Sequence, residues 1–368
     1  MYRLLFRIVL LFIMVTTLAL EQSEATGYFP SAGGKKYMVN FGESYSNYSP
    51  GSLMRIGVVF KNSSSDELKV SQELMVLDSS GAKAWNTVIN LELLPNGSVT
   101  VPLLVPVPKF PGTFKLTTGD SAGGNGEGPA SFGFNVIQPK KSPRLSKILV
   151  HTPDNEVALN EFLKIWDIKA PSVSWGQVLL LGKRSRILFA TGDRDITQLV
   201  DRALKREMSV IFLDFGPAND GTAANAQKMA LPFDISVSFI KAPTPEQGYT
   251  LKSDYKELIY NLETSQVKNW NGYYGVTVPA TDLRFDGKGV KINAYVMAGN
   301  NPYRFPVVEL VPLNGRGKIY ICQLLTDGRL DESVKPARSQ PGLPAYDPLA
   351  VQFLLNLISA SVGDNLLK

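Results

Sequence analysis

Three aspartates, one histidine and one cysteine are the side chains in this 368-residue chain whose type and placement could do chemistry. Asp193 and Asp195 follow the mostly apolar run Arg186–Thr191, and Asp214 ends the run Ser209–Leu213. Carboxylates gathered near the ends of parallel strands could do acid/base work or hold a hard cation. The plainer reading is that Asp195 caps a helix and the other two are solvated loop residues. His151 is the sole histidine and ends the apolar run Lys147–Val150, at the edge where open parallel sheets bind ligands. It could act as a base there, or be a satisfied structural histidine. Cys322 lies in the middle of the apolar run Lys318–Leu325, which predicts a buried, inert thiol rather than a nucleophile. One cysteine and one histidine make no zinc site of nitrogen and sulfur ligands. No Gly-x-Ser-x-Gly elbow marks a serine triad, and no glycine-rich loop cradles a phosphate. Asp193, Asp214 and His151 are thus the catalytic candidates, no set among them is complete, and neither a metal nor a cofactor is expected.

Aromatic side chains are the other chemistry to weigh, because the apolar C–H faces of sugars stack on rings. Trp270, Tyr273 and Tyr274 cluster between Asn269 and the following loop, and Trp175 and Tyr303 are further loop aromatics. Trp270, Tyr273, Tyr274 and Tyr303 are the ligand-binding candidates. Their alternative is packing against a sheet.

The elements that would position these residues follow from hydrophobic period. Arg186–Thr191 and Ser209–Phe215 are nearly continuous apolar runs, and between them Ile196, Leu199, Val200 and Ala203 share one helical face. Two strands buried on both faces around one helix predict a right-handed βαβ unit. Lys147–Val150 and Val178–Leu181 add strands, and Glu156–Ile168 adds a helix capped by Asp154, with Val157, Phe162 and Ile165 toward the core. Leu231–Phe233 reads as loop, Asp254–Leu262 as a short helix, and Val290–Met297, Pro306–Leu310 and Lys318–Leu325 as strands. Asp347-Pro348 starts a closing helix with Leu349, Phe353, Leu354, Leu357 and Ile358 on its apolar face. Alternating strands and helices predict a parallel sheet covered on both faces over 146–362.

The preceding stretch, 37–137, is all strand and turn. Leu53–Phe60, Gln72–Leu77, Val88–Leu93, Val99–Val105, Gly112–Thr117 and Ser131–Ile137 are separated by Asn/Ser, Asp-x-x-Gly and Pro/Gly turns. About seven strands at this spacing suggest an immunoglobulin-like sandwich. Residues 138–145, with two prolines and Lys140-Lys141, read as a semi-rigid linker, and 26–36 as a flexible segment.

Residues 1–25 read as an export signal: Arg3 and Arg7, the apolar stretch Ile8–Leu20, then small residues at Ser23 and Ala25. The stretch is short for a span of about 20 residues, although an uncleaved signal could anchor the chain. No other segment is apolar enough to span. Export to periplasm or medium is expected. Cleavage would leave the net charge of +5 unchanged, and the basic residues are scattered, so no nucleic-acid surface is expected.

Several phrases together resemble a known family. They are VLLLG at 178–182, SVIFLD at 209–214, LPF at 231–233, NWNG at 269–272, FPVVEL at 305–310, GRGKIYICQLL at 315–325 and YDPLAVQFLLNLI at 346–358. In this order they resemble the C-terminal, non-catalytic region of family 2 glycoside hydrolases of the bacterial β-galactosidase type. The strand, Gln-Leu-Leu, Asp-Pro and closing-helix sequence is the most specific part. NSSSDE, LDSSGAKAW and FPGTFKL are similar to the immunoglobulin-like modules of those enzymes. The resemblance implies a flavodoxin-like, class I glutamine-amidotransferase-like α/β domain after the sandwich. It also implies an accessory or binding role in glycan use, with a glycan or a separately encoded glycoside hydrolase chain as partner. Those enzymes work in a (β/α)₈ barrel of about 250 residues. No length remains here for one, so the carboxylate pair of glycoside cleavage has no barrel to sit on. Asn155-Glu156 and Asn160-Glu161 are superficially similar to the clan's acid/base dipeptide, but fall on a helix. A hydrolase working from carboxylates at the sheet's carboxyl edge is the alternative.

Overall fold

The computed structural model describes residues 37–42, 44–119, 130–171, 176–216, 228–241, 251–252, 256–262, 270–271, 281–287, 290–298, 307–313, 317–332 and 345–362. It is a mixed, sheet-rich α/β protein with four sheets. The N-terminal part contains β1 (Tyr37–Phe41), β2 (Asn47–Tyr48), β3 (Leu53–Asn62), β4 (Leu68–Asp78), β5 (Lys83–Leu93), β6 (Ser98–Pro106), β7 (Gly112–Thr118) and β8 (Ser131–Val136). They form a three-stranded sheet in the order β1-β3-β6 and a five-stranded sheet in the order β2-β8-β7-β4-β5. Alternation sets the faces: Met54, Ile56, Val58 and Phe60 of β3 are buried, and they share one core with Leu74 and Val76 of β4 and Leu116 of β7. Phe134 stacks on Phe114 at 5.8 Å, with Tyr48 edge-on to it. The turns carry their own bonds. Asp78 Oδ1 accepts from Ser80 N and Ala82 N at 2.9 Å, beside Gly81 at φ 86°. All six strands expected from the sequence occur, and β1 and β2 precede them.

The second part contains β9 (Val150–His151), α1 (Val157–Ile165), β10 (Val178–Leu181), α2 (Lys183–Ala190), α3 (Arg194–Lys205) and β11 (Ser209–Phe212). It continues with β12 (Lys228–Leu231), β13 (Ile235–Lys241), β14 (Leu251–Lys252), β15 (Thr281–Asp286), β16 (Val290–Ala298), β17 (Val307–Pro312), β18 (Lys318–Cys322) and α4 (Pro348–Ala360). A seven-stranded sheet runs β14-β16-β17-β18-β11-β10-β9, and β12-β13-β15 form a small one. The expected all-parallel sheet is corrected to a mixed one: β9, β10, β11 and β18 are parallel, while β14, β16 and β17 are antiparallel. The link from β17 to β18 is too short for a crossover, which forces an antiparallel neighbour. Along β10, Val178 and Leu180 meet α1 and α4, and Leu179 and Leu181 meet α2, α3 and the small sheet.

Several local expectations are overturned. Arg186–Thr191 is not a strand but the second half of α2 and its cap. The place beside β11 is already filled by β10, with Val178 opposite Ser209, so the crossover carries two helices broken at Gly192, φ 80°. The cap of α3 is Asp193, not Asp195: its Oδ1 accepts from Asp195 N and Ile196 N at 3.1 Å. In α1, Leu159, Phe162 and Leu163 face the core, whereas Val157 and Ile165 are exposed, and Asp154 lies outside the capping position, held by Glu156. Residues 256–262 are turns rather than the expected helix. Leu231 ends β12 and the turn follows at Phe233 and Asp234, both at positive φ. The closing helix α4 has no solvent face: every residue from Pro348 to Ser359 is buried. Residues 138–145 are tied down, with Lys140 N donating to Gln352 Oε1 at 2.6 Å and Lys141 Nζ to Trp166 O at 3.0 Å.

Candidate functional site

The carboxyl edge of the four parallel strands gathers the chemistry-bearing side chains. Where β11 ends, Leu213 N bonds to Leu181 O at 2.8 Å and Phe215 N to Cys322 O at 2.9 Å. Asp214 lies between these two anchors in the left-handed region, φ 49°, and its side chain turns toward the loop after β18. Oδ1 accepts from Thr326 N at 2.6 Å and Asp327 N at 3.1 Å, and Oδ2 from Thr326 Oγ1 at 2.6 Å. Burial pushes this carboxyl above the ordinary aspartate range, against the pull of those donors.

Adjacent loops are stitched in the same manner. Glu156 Oε1 accepts from Ser185 N at 2.6 Å, so the loop after β9 fills the N-terminus of α2. A Cβ at Gly182 would run into the Glu156 carboxylate where it now lies, so this close approach favours glycine there. The buried Arg186 donates through Nη1 to Gly216 O, and Thr152 Oγ1 to Leu180 O at 2.8 Å. Lys183 Nζ stands 3.7 Å from Asp327 Oδ2. The edge is a series of loop-to-loop clamps, and Asp214 is one of them.

The sequence candidates separate under this geometry. His151 ends β9 half-buried, and burial lowers its pKa, with Asp154 opposing the shift. Asp193 sits between α2 and α3, engaged as a cap rather than placed at a strand end. The partners of Asp214 are Thr326 and Asp327, not His151 or Asp193. Cys322 is fully buried in β18, and burial pushes its thiol far up. Among the described residues no three His, Cys, Asp or Glu side chains stand together as metal ligands. Trp270 is 1 % exposed, packs on Phe353 at 6.1 Å and lies under the Arg329 guanidinium at 5.8 Å, so it offers no free face to a sugar. Trp175, Tyr273, Tyr274 and Tyr303 lie outside the described residues.

A second polar cluster, not anticipated as a site, joins β2 to the α/β part. Asp347 Oδ1 caps α4 through Leu349 N at 2.8 Å, and Oδ2 accepts from Asn271 N at 2.6 Å and Asn47 Nδ2 at 3.3 Å. Asn271 Oδ1 accepts from Ser46 N and Asn47 N, and its Nδ2 donates to Asn47 O at 2.6 Å and Tyr346 O at 3.0 Å. The fully buried Arg329 donates through Nε to Asn271 O at 2.6 Å. Burial also raises the Asp347 carboxyl above its usual range. The readable signals were the Asp-Pro start of α4 and a Trp flanked by two asparagines; neither names its partners, which lie 224 and 300 residues away. Nearby, Pro111, Gly112, Ile137, Gln138 and Asn261 line an open cleft with no titratable side chain among them.

No family model matches the chain, and no curated protein matches it. Among solved structures, a β-glucosidase from Listeria innocua matches at 14% identity and TM-score 0.24, over 29% of this chain and 17% of that one. A β-glucosidase from Erythrobacter marinus matches at 13% and 0.22, over 27% and 16%. The CARDB domain of PF1109 from Pyrococcus furiosus matches at 15% and 0.23, over 28% of this chain and 94% of that domain. The chain thus spans less than a fifth of either glucosidase, and likenesses at these scores carry no argument about activity.

Proposed function

We propose that this chain is an exported, non-catalytic accessory or binding protein of glycan use. In this reading it is built from an immunoglobulin-like sandwich, 37–137, and a glutamine-amidotransferase-like α/β domain, 146–362. One observation carries the non-catalytic part. Asp214, the carboxylate best placed for chemistry, spends both oxygens on two backbone N–H groups and one hydroxyl, and Asp193 and Glu156 each commit one oxygen to backbone N–H. Lone pairs committed to protein donors in this way are turned away from a substrate. The glycan association and the partner, a polysaccharide or a separately encoded hydrolase chain, rest on the phrases that resemble family 2 glycoside hydrolases. Export rests on Arg3, Arg7 and the apolar stretch Ile8–Leu20. Among the described residues no helix is long and apolar enough to cross a membrane.

The alternative is a hydrolase at the sheet's carboxyl edge. It draws on Asp214, a non-glycine residue at positive φ with a raised pKa directly after a central strand. One experiment separates the two: hydrolysis of a nitrophenyl glycoside panel by the purified protein and by Asp214→Asn, beside retardation of both in gels containing plant and bacterial polysaccharides. The accessory reading expects no turnover and retardation by at least one polysaccharide. Turnover abolished in Asp214→Asn would replace it with the hydrolase.

A further inference from the structure

Strand β5 is the outermost strand of the five-stranded sheet and pairs, among the described residues, with β4 alone. An edge strand presents backbone N–H and C=O groups to any strand that can lie against it, so such edges are normally blunted. The facing edge of the smaller sheet, β6, is blunted by Pro102 in its middle and Pro106 at its end. From Trp85 to Leu91, β5 reads WNTVINL, without a charge, a proline or a glycine. The irregularity that leaves Ala84 without a partner in β4 stops the regular strand just before Trp85.

The seven residues are self-complementary. Run antiparallel to a copy of itself about Val88, the segment sets Trp85 opposite Leu91, Asn86 opposite Asn90, Thr87 opposite Ile89 and Val88 opposite Val88. Every amide meets an amide and every apolar side chain meets an apolar or β-branched one, and each pair except Val88 on itself occurs twice. The faces agree as well. Asn86, Val88 and Asn90 are exposed on the outer face, Val88 at 53 %, while Trp85, Thr87, Ile89 and Leu91 are half-buried on the inner face at the core's rim. A slip by one residue would set Asn against Trp, Thr or Leu and break the match.

We propose that β5 is a homodimerisation edge. Two copies of this chain pair antiparallel through Trp85–Leu91 across a two-fold axis at Val88, joining their five-stranded sheets into one. The contact is isologous, so it closes at two copies instead of growing into a fibre. It also covers the half-exposed row Trp85, Ile89 and Leu91, with each Trp85 lying over the partner's Leu91.

Sedimentation velocity of the whole 40.3 kDa chain tests this against two substitutions. The wild type is expected at twice the monomer mass at micromolar concentration. Val88→Lys sets two ammonium groups against each other on the axis and weakens association at least tenfold. Its fold is expected to stay intact by circular dichroism, because Val88 lies on the outer face. The only native cysteine, Cys322, is buried, so engineered thiols report alone. Under mild oxidation Val88→Cys is expected to cross-link into a dimer, since residues on the axis are close enough for a disulfide. Asn86→Cys, which meets Asn90, is expected to remain largely monomeric. A monomeric wild type, a dimer that survives Val88→Lys, or equal cross-linking at both positions would overturn the proposal.

Discussion

Asp214 and Asp347 are both buried carboxylates that accept three hydrogen bonds, and both have their pKa raised by burial. They differ in what they join. Asp214 ties the loop after β11 to the loop after β18, whose strands already share a ladder through Ser209–Phe212. Asp347 joins elements with no ladder between them: the start of α4, Asn271 beside Trp270, and β2. The first carboxylate reinforces a contact that backbone pairing would hold anyway. The second, together with Asn271, makes a contact that no ladder holds, so equal hydrogen-bond counts predict unequal consequences.

The largest effect is therefore expected at Asp347. Asp347→Ala strands Leu349 N, Asn271 N and Asn47 Nδ2 in a dry interior and should cost about 3 kcal/mol or more in urea unfolding. Asp214→Ala should cost roughly 2 kcal/mol, because the neighbouring ladder limits the loss; a larger loss at Asp214 would reverse the comparison. A double-mutant cycle sharpens it. Asn271→Ala with Asp347→Ala should depart from additivity by about 1 kcal/mol or more, whereas Asn271→Ala with Asp214→Ala should add within about 0.5 kcal/mol.

The pH dependence has a worked sign. For both carboxyls the folded pKa lies above the unfolded value of about 3.9, so the folded state binds more protons in the interval between them. Their contribution is fully present below the unfolded value and is lost as pH rises through the folded one. The stability of the wild type relative to Asp347→Asn should thus fall as pH rises from about 4 toward neutrality, read as the difference in thermal midpoint. A difference that grows with pH would show that the hydrogen-bond donors outweigh burial. The smallest effect belongs to the cap of α3. Asp193→Ala should cost about 1 kcal/mol and Asp195→Ala no more than about 0.5 kcal/mol, by chemical denaturation.

Legibility in the sequence followed the range of the interactions. The alternation of β3 and the apolar runs of β10, β11 and β18 encode burial within a few residues, and those strands stand where the pattern puts them. Arg186–Ala190 misleads because Ile187, Leu188 and Phe189 form an apolar run as a strand would, and only Gly182 and the distant Glu156 reveal a helix start. Asp193 and Asp195 both precede the helical period, and geometry alone selects the first. Trp270 looks like a loop aromatic until Phe353 and Arg329 are placed on it. The node at Asn271 could not be read, because its partners in β2 and α4 are set by topology rather than by neighbours in the chain.

The burial of α4 on all sides also sets an order of assembly. A chain made from its N-terminus finishes β2 long before Asp347 exists, and the Asn47 Nδ2 bond to that carboxylate spans 300 residues. Loops of that length close late, after local elements have formed. Any product stopped short of residue 347 would expose the hydrophobic slot that Leu349, Phe353, Leu354 and Leu357 fill. Until α4 docks, that apolar surface stays uncovered, so the intermediate lacking it is the species most exposed to aggregation.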